Sequence, residues 1–375
     1  MVRDRTSRNR LTGAAPLFLD ARVRDGVTSG KYLCAVQGQS RASVIITVYN
    51  QVAFTRICLA SLALLTDPGT EVLVVDNGST DGTSEFLRDW ERESSGHRVI
   101  RPGRNLGFAR GCNRGAADAQ GEYLVFLNND TFVLPGWLSG LIAPLVDAQA
   151  RISGSRLLYP NGRIQHAGLA FDERGPHHIF AGLVADHPCV VEARDWQAVT
   201  GASLAISRSD FDSIRGFDEG YLNSFEDVDL CLRARQRGWR VRYVPESAAY
   251  HFEGMTEGRQ GPSDRRNYEV FINRWRGRFE TDLGPALEAA RAAGFDLRDR
   301  IPPKVELRAA LDEARQRLTT MEVEVARLRD EVDRDRAEAA GRQSSRLSRR
   351  VARRMGLGAV RRRLRAWRRA SSVDS

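Results

Sequence analysis

The sequence predicts an α/β protein with a mostly parallel sheet covered by helices on both faces. Three observations carry that expectation. Between residues 42 and 250, short apolar runs alternate with stretches of helical periodicity. The spacing of that alternation suits strand–helix–strand crossovers rather than hairpins. Polar clusters then follow the apolar runs, at the carboxyl ends of strands where open α/β sheets bind ligands.

Taken in order, residues 43–48 (SVIITV) read as a buried strand, and residues 54–65 follow with Ile57, Cys58, Ser61, Leu62 and Leu65 at helical spacing. Residues 71–75 (EVLVV) are a second strand, and residues 83–90 a short helix entered through Ser79, Thr80 and Asp81. A weaker strand at 98–100, a helix of small residues at 107–119 and a fourth strand at 122–127 (EYLVFL) complete the alternation. From 151 to 200, short strands and glycine-rich turns predict an antiparallel insertion. Residues 224–238 open with acidic residues and read as a helix, in which Ser224 and Asp227 fit a capping box. Residues 263–280 read as an amphipathic helix that closes the domain.

Four segments result: a polar arm at 1–40, the α/β domain at 41–298, a helix at 304–340 and an arginine-rich tail at 341–375. In the third, Leu311, Leu318, Val325 and Val332 recur every seven residues, with Ala314, Met321 and Leu328 three residues after the first three. That is a coiled-coil seam, and it implies a homodimer. Residues 342–369 hold 12 of the arginines and no acid, so the net charge of +9 becomes −3 over the rest of the chain. A mildly acidic body with one basic tail excludes a generalised nucleic-acid binder. Apolar residues and Trp367 interleave the arginines, which suits peripheral contact with an anionic membrane.

Several chemistries are excluded. No phosphate-loop lysine or dinucleotide-binding glycine fingerprint occurs. The five scattered cysteines form no C-x-x-C, which argues against a zinc ribbon or disulfide framework and for a reducing compartment. No apolar run reaches membrane-spanning length, and no secretory leader is visible. The expected location is cytoplasmic, on the inner face of the plasma membrane.

The strand ends supply the candidate chemistry. Asp76 follows a buried strand, and its carboxylate can accept hydrogen bonds from a base or ribose. Asp130, beside Asn128 and Asn129, suits a hard divalent cation that also binds phosphates. Glu226, Asp227 and Asp229 crowd one helical turn beside Phe225 and Tyr221, whose apolar walls would favour a general base. His166, His177 and His178 cluster across the insertion and suggest an acceptor pocket.

Seven blocks together carry a family resemblance: SVIITVYNQ, EVLVVDNGSTDGT, RPGRNLGFARGCNRG, GEYLVFLNNDT, VTGASLAISRSDF, GFDEGYLNSFEDVDLCLRARQRGW and YHFEG. In this order, over about 42–280, the chain resembles family 2 glycosyltransferases of the Rossmann-like GT-A fold, within the rhamnosyltransferase-like group that builds bacterial cell-surface polysaccharide. The resemblance implies a nucleotide-diphospho-sugar donor, a divalent cation (Mn²⁺ or Mg²⁺), a saccharide or lipid-linked saccharide acceptor, and inversion. It also implies that Thr47 and Asp76 hold the base and ribose, and that Arg104 and Asn105 line the nucleotide pocket. Asp130 and His251 become cation ligands and Asp227 the catalytic base, with Glu226 beside it. Tyr49, Asn50, Asn77 and Asn129, at the same strand ends, complete the candidate donor-binding set. One departure is that Asn128 replaces the first carboxylate of the family's D-x-D motif, which puts more weight on Asp130 and His251. Two rivals remain: a nucleotidyltransferase on a similar sheet, and a degenerate domain serving as a membrane-associated coiled-coil scaffold.

Overall fold

The structure, a computed structural model, describes residues 42–296 apart from 68–69, 94–95 and 253–261, together with Arg327 and Arg334. The polar arm, the heptad seam and the arginine-rich tail lie outside these residues.

The predicted alternation is present: β1 (Ala42–Val48), α1 (Val52–Leu65), β2 (Glu71–Asp76), α2 (Thr83–Arg92), β3 (His97–Ile100), α3 (Phe108–Asp118) and β4 (Tyr123–Asn128). After it come β5 (Thr131–Val133), α4 (Trp137–Val146), β6 (Ile152–Leu158), β7 (Ile164–His166), β8 (Leu169–Asp172), β9 (Gly175–His178) and β10 (Arg194–Trp196). The last elements are β11 (Ser203–Ser207), α5 (Arg208–Ser213), α6 (Glu226–Gln236), β12 (Val241–His251), α7 (Pro262–Trp275) and α8 (Leu283–Ala292).

The main sheet runs in the order β10-β12-β6-β11-β4-β1-β2-β3, with β5 added to β12 and β7 to β6. Its β4-β1-β2-β3 half is parallel, as expected. Strand β11 is antiparallel to both β4 and β6, and the sheet becomes mixed beyond it. The segment at 151–200 therefore differs in part from an insertion. β6 is an interior strand parallel to β12, while β7 and the β8–β9 hairpin are antiparallel. Periodicity could not separate these cases, because a short apolar strand looks alike in either setting.

Two apolar layers cover the sheet. Alternate residues of β1 serve opposite layers, as the pleat requires. Val44, Ile46 and Val48 pack with Cys58, Leu59 and Leu62 of α1 and Trp137 of α4. Ile45 packs in the other layer, which holds Ala109, Cys112 and Ala116 of α3, Val228 of α6, and Phe271 and Trp275 of α7. Helix α3 is rich in small residues because it lies close on β1. A Cβ on Gly115 would stand 2.4 Å from Ile45 Cγ2, and one on Gly111 would stand 2.7 Å from Thr47 Cγ2. Helix α7 stops at Trp275, short of the expected residue 280, where Gly277 takes φ 72°.

The chain order places the ligand crevice. β2 and β3 build outward from one side of β1, then β4 joins its other side. The carboxyl ends of β1 and β4 thus flank a topological switch point, where Thr47 pairs in register with Asn128 and Val48 with Asp76. Among the described residues, no helix is long and apolar enough to cross a membrane.

Candidate active site

Loops tied to one another form one side of the crevice. Asn50 and Gln51 leave β1 in left-handed backbone, at φ 58° and 65°. Asn50 donates its N–H to Ser79 Oγ at 2.8 Å, and its Oδ1 accepts from the Thr80 N–H at 2.7 Å. Asp76 is buried, and its carboxylate accepts from the Ser79 N–H at 3.0 Å and from the Ser84 hydroxyl. Asn77, also buried, donates to Gly107 O at 3.2 Å and accepts from the Leu106 N–H at 3.4 Å. Asn105 accepts from the Gly107 N–H at 2.8 Å. Four of the candidate donor-binding side chains thus fasten the loops that would frame a donor. Asn129 is engaged elsewhere, donating to Thr55 Oγ1 of α1 at 3.0 Å. Tyr49 and Arg104 are exposed on the rim, and half-buried Thr47 lies 3.4 Å from Cys112 Sγ.

The second corner joins residues far apart in sequence. His251, the last residue of β12, stands in register with Thr131 of β5. That pairing puts His251 Nε2 3.1 Å from Asp130 Oδ1, with both side chains at least nine-tenths buried. Asn128 Nδ2 also lies 3.2 Å from Nε2. Gln165 of β7 fixes the ring, its Oε1 accepting from Nδ1–H at 2.6 Å and its Nε2 donating to His251 O at 3.3 Å. With Nδ1 as donor, the neutral ring has its lone pair on Nε2, beside a carboxylate oxygen. A nitrogen and a carboxylate oxygen so placed fit a divalent cation. Among the described residues no group of three or more His, Cys, Asp or Glu could hold a metal. A cation here would therefore complete its shell with water and ligand oxygens. Burial, and then the Asp130 charge, push the Cys58 thiol up to about 12.

The third corner is the start of α6. Asp227 is half-buried, and its Oδ2 accepts from the Gly201 N–H at 2.6 Å. Its Oδ1 accepts from the Val228 N–H at 2.8 Å. Two N–H donors hold the carboxylate in one orientation. The expected capping box is absent. Ser224 and Phe225 enter the helix at φ 102° and 68°, and no side chain caps it. An N-cap residue needs extended backbone, and Asp227 faces Gly201. Glu226 is buried, and its charge adds to the rise that burial causes in the Cys112 thiol. Asp229 is fully buried and structural, accepting from Arg233, Arg274 and the Trp275 indole at 2.7, 2.7 and 2.9 Å.

The three insertion histidines do not form one pocket: His177 is engaged apart from His166 and His178. His177 pairs with Asp172 at 2.9 Å, and with Arg174 it holds that carboxyl well below the usual range. His166 is fully buried, so it cannot touch an acceptor, and its Nδ1 lies 3.0 Å from Nδ1 of exposed His178. Burial first, then the neighbouring His178 and His251, hold the His166 pKa well below the ordinary imidazole value. Gln165 and the turn at 200–202 escaped sequence reasoning. A glutamine in a three-residue strand gives no signal, although the turn falls within the quoted block VTGASLAISRSDF.

Fold and site together define an α/β domain with a buried carboxylate–imidazole pair after β4 and a second carboxylate held by the turn at 200–202, which is itself bonded to the end of β4. Residues 43–178 match the family model for glycosyl transferase family 2. Asp227 and His251 lie beyond the matched stretch. The chain is 31% identical over 262 residues to uncharacterized protein y4gI of Sinorhizobium fredii, covering 66% of this chain and 29% of that one. It is 31% identical over 239 residues to the O-antigen biosynthesis protein RfbC of Myxococcus xanthus, covering 59% of this chain and 18% of that one. An N-acetylglucosaminyl-diphospho-decaprenol L-rhamnosyltransferase of Mycobacterium tuberculosis is 28% identical over 248 residues, covering 59% of this chain and 78% of that one. The chain thus spans less than a third of the first two relatives. A crystal structure of GalNAc-T7 with UDP, GalNAc and Mn²⁺ shares the fold at a TM-score of 0.53 and 18% identity, over 74% of this chain and 55% of that one.

Proposed function

We propose that the chain is an inverting glycosyltransferase. It moves a sugar, rhamnose being the leading candidate, from a nucleotide-diphospho-sugar to a saccharide or lipid-linked saccharide acceptor in cell-surface polysaccharide assembly. The observation that carries this reading is the buried Asp130–His251 pair at 3.1 Å, at a sheet switch point that also presents Asp227. The family match and the names of the relatives support the reaction class and the rhamnosyl assignment.

In this reading Asp130 and His251 would hold a divalent cation, which when bound would supply charge neutralisation for a leaving diphosphate. The loops carrying Asn50, Asp76, Asn77 and Asn105 frame the donor. Asp227 accepts the proton of the acceptor hydroxyl. The acceptor oxygen bonds to the anomeric carbon as the bond to the diphosphate oxygen breaks, and the configuration inverts. Fixing Asp227 by two backbone donors keeps its carboxylate aimed without reorganisation.

A thermal-shift screen with UDP-, dTDP- and GDP-sugars in the presence of Mn²⁺ tests the donor assignment. The correct donor stabilises by about 2.7 kcal/mol at a hundredfold excess over its Kd. Uniform melts across the panel would remove the assignment. The heptad seam supports a homodimer, and the arginine-rich tail supports cytoplasmic attachment to an anionic membrane surface. Light scattering of the full chain against residues 1–300 tests the first. Flotation with anionic vesicles, before and after deletion of residues 342–375, tests the second. Equal masses per chain, or equal flotation, would contradict the respective assignment.

A further inference from the structure

Strand β7 has only three residues, and two consecutive side chains reach different corners of the site. Resting on the function proposed above, we propose that Gln165 and His166 are its positioning residues, Gln165 for the cation corner and His166 for the base. Both are buried, at 3% and 0% exposure, so neither can itself contact a substrate in this structure.

Gln165 grips His251 at two points, accepting from Nδ1–H at 2.6 Å and donating to the main-chain oxygen at 3.3 Å. A flipped amide would set oxygen against oxygen, so the two bonds fix each other. The ring is thereby held as the Nδ1–H tautomer, with the Nε2 lone pair on the edge that meets Asn128 and Asp130. A partner on the far nitrogen that fixes tautomer and orientation is a recurrent requirement for a ligating histidine.

His166 acts on the other side. Its Nε2 accepts from the Thr200 N–H at 3.3 Å, so its proton lies on Nδ1, 3.0 Å from His178 Nδ1. The next residue, Gly201, donates its N–H to Asp227 at 2.6 Å. The residue after that, Ala202, accepts from the Asn128 N–H at 3.0 Å. The turn at 200–202 is thus bonded to β7, to the candidate base and to the strand that carries the cation corner. One short strand thus touches the cation corner directly and the base through the turn at 200–202.

The two roles predict a split in phenotype. Gln165→Leu should weaken binding of Mn²⁺ alone by about 10–100-fold, read from free Mn²⁺ by electron paramagnetic resonance. Its loss of turnover should shrink as Mn²⁺ is raised. Gln165→Glu, which still accepts from Nδ1–H, should recover the affinity. His166→Leu should instead leave Mn²⁺ affinity unchanged and lower kcat at least about tenfold, the loss expected when an aligned group shifts slightly. That loss is read as nucleoside diphosphate released from a UDP-, dTDP- or GDP-sugar. His166→Gln, whose amide oxygen can accept from the Thr200 N–H, should recover part of it. Parental Mn²⁺ affinity in Gln165→Leu, or equal losses of affinity and turnover in both leucine variants, would overturn the proposal. If a leucine variant does not fold, ¹⁵N–¹H correlation spectra of the parental protein decide the matter. Nδ1–H tautomers at His251 and His166 support the proposal, and Nε2–H at either overturns that half. A parental protein that neither binds Mn²⁺ nor turns over a donor would instead remove the proposed function.

Discussion

Asp227 is where chemistry and stability meet at a single residue. Its two oxygens accept from two different N–H groups, Gly201 and Val228. Asp227→Asn removes the proposed base and also turns an NH₂ toward one of those donors. Turnover should fall about 10²–10⁴-fold, with donor affinity near parental by thermal shift. The melt without ligand should drop by about 1–3 kcal/mol, because one N–H loses its acceptor. Near-normal turnover in this variant would remove the assignment. His166 gives a second prediction at this scale. Its depressed pKa means that the folded protein holds it neutral while the unfolded chain protonates it near pH 6.5. Below about pH 6.5 the unfolded state binds more protons, so this group's contribution to stability is present above that pH and is lost as pH falls. Groups facing it from neighbouring elements are His178 on β9 and His251 on β12. Urea midpoints between pH 8 and 5 should fall less steeply for His166→Gln than for the parent.

At the scale of elements, the helix seated on β1 and the network beneath α6 are the sensitive joints. Gly115→Ala would place a methyl 2.4 Å from Ile45 Cγ2 and 3.3 Å from Val75 Cγ2. Overpacking of this kind costs about 1–3 kcal/mol, against a helix-propensity gain of about 1 kcal/mol. A net loss in chemical denaturation is expected. Asp229→Ala should cost more, about 3 kcal/mol, because it leaves a buried indole N–H without its acceptor and takes the buried carboxylate from Arg233 and Arg274, which keep only Ile214 O, Gly216 O and Asp218. Arg233 and Arg274 are partly exposed, at 21% and 40%, which keeps the loss at the lower end for a broken buried pair. These elements also show what the sequence reveals. The strands of the parallel half were legible because burial on both faces makes them continuous apolar runs. Helix α3 was legible from its small residues. Helix α4 (WLSGLIAPLV) was not, because it is apolar nearly all round and contains Pro144. The short helix α5 was not legible because six residues carry too little periodicity, and the terminal helix α8 lies beyond the last of the quoted blocks. The main candidate site residues were legible as polar groups at strand ends. Their actual partners were not, because Gln165 and Gly201 reach the site only through pairing of β7 with β6 and of β11 with β4 and β6 across the sequence.

At the scale of the whole molecule, the mixed sheet brings the parts of the site together. The parallel half presents the loops after β1, β2 and β4 along one edge. The antiparallel strand β11 then lets the chain add β6 and β12, and β12 returns His251 to the end of β5 beside Asp130. The candidate base arrives separately on α6 and is held by the turn that precedes β11. The fold therefore juxtaposes groups supplied by regions on both sides of the switch point, and the proposed chemistry requires them together. All four described cysteines are buried thiols and none is used in this chemistry. Thiol-alkylating reagents should therefore label them slowly in the native protein and rapidly in urea, leaving native turnover intact over the same interval. The central claim is that Asp130, His251 and Asp227 form one cation-dependent transfer site. Its most direct measurement is release of nucleoside diphosphate by the full chain from UDP-, dTDP- and GDP-sugars, with Mn²⁺ and then with a chelator. The account predicts release from a preferred donor that stops with the chelator and returns when Mn²⁺ is restored. Release from no donor, or release that continues undiminished in the chelator, would contradict it.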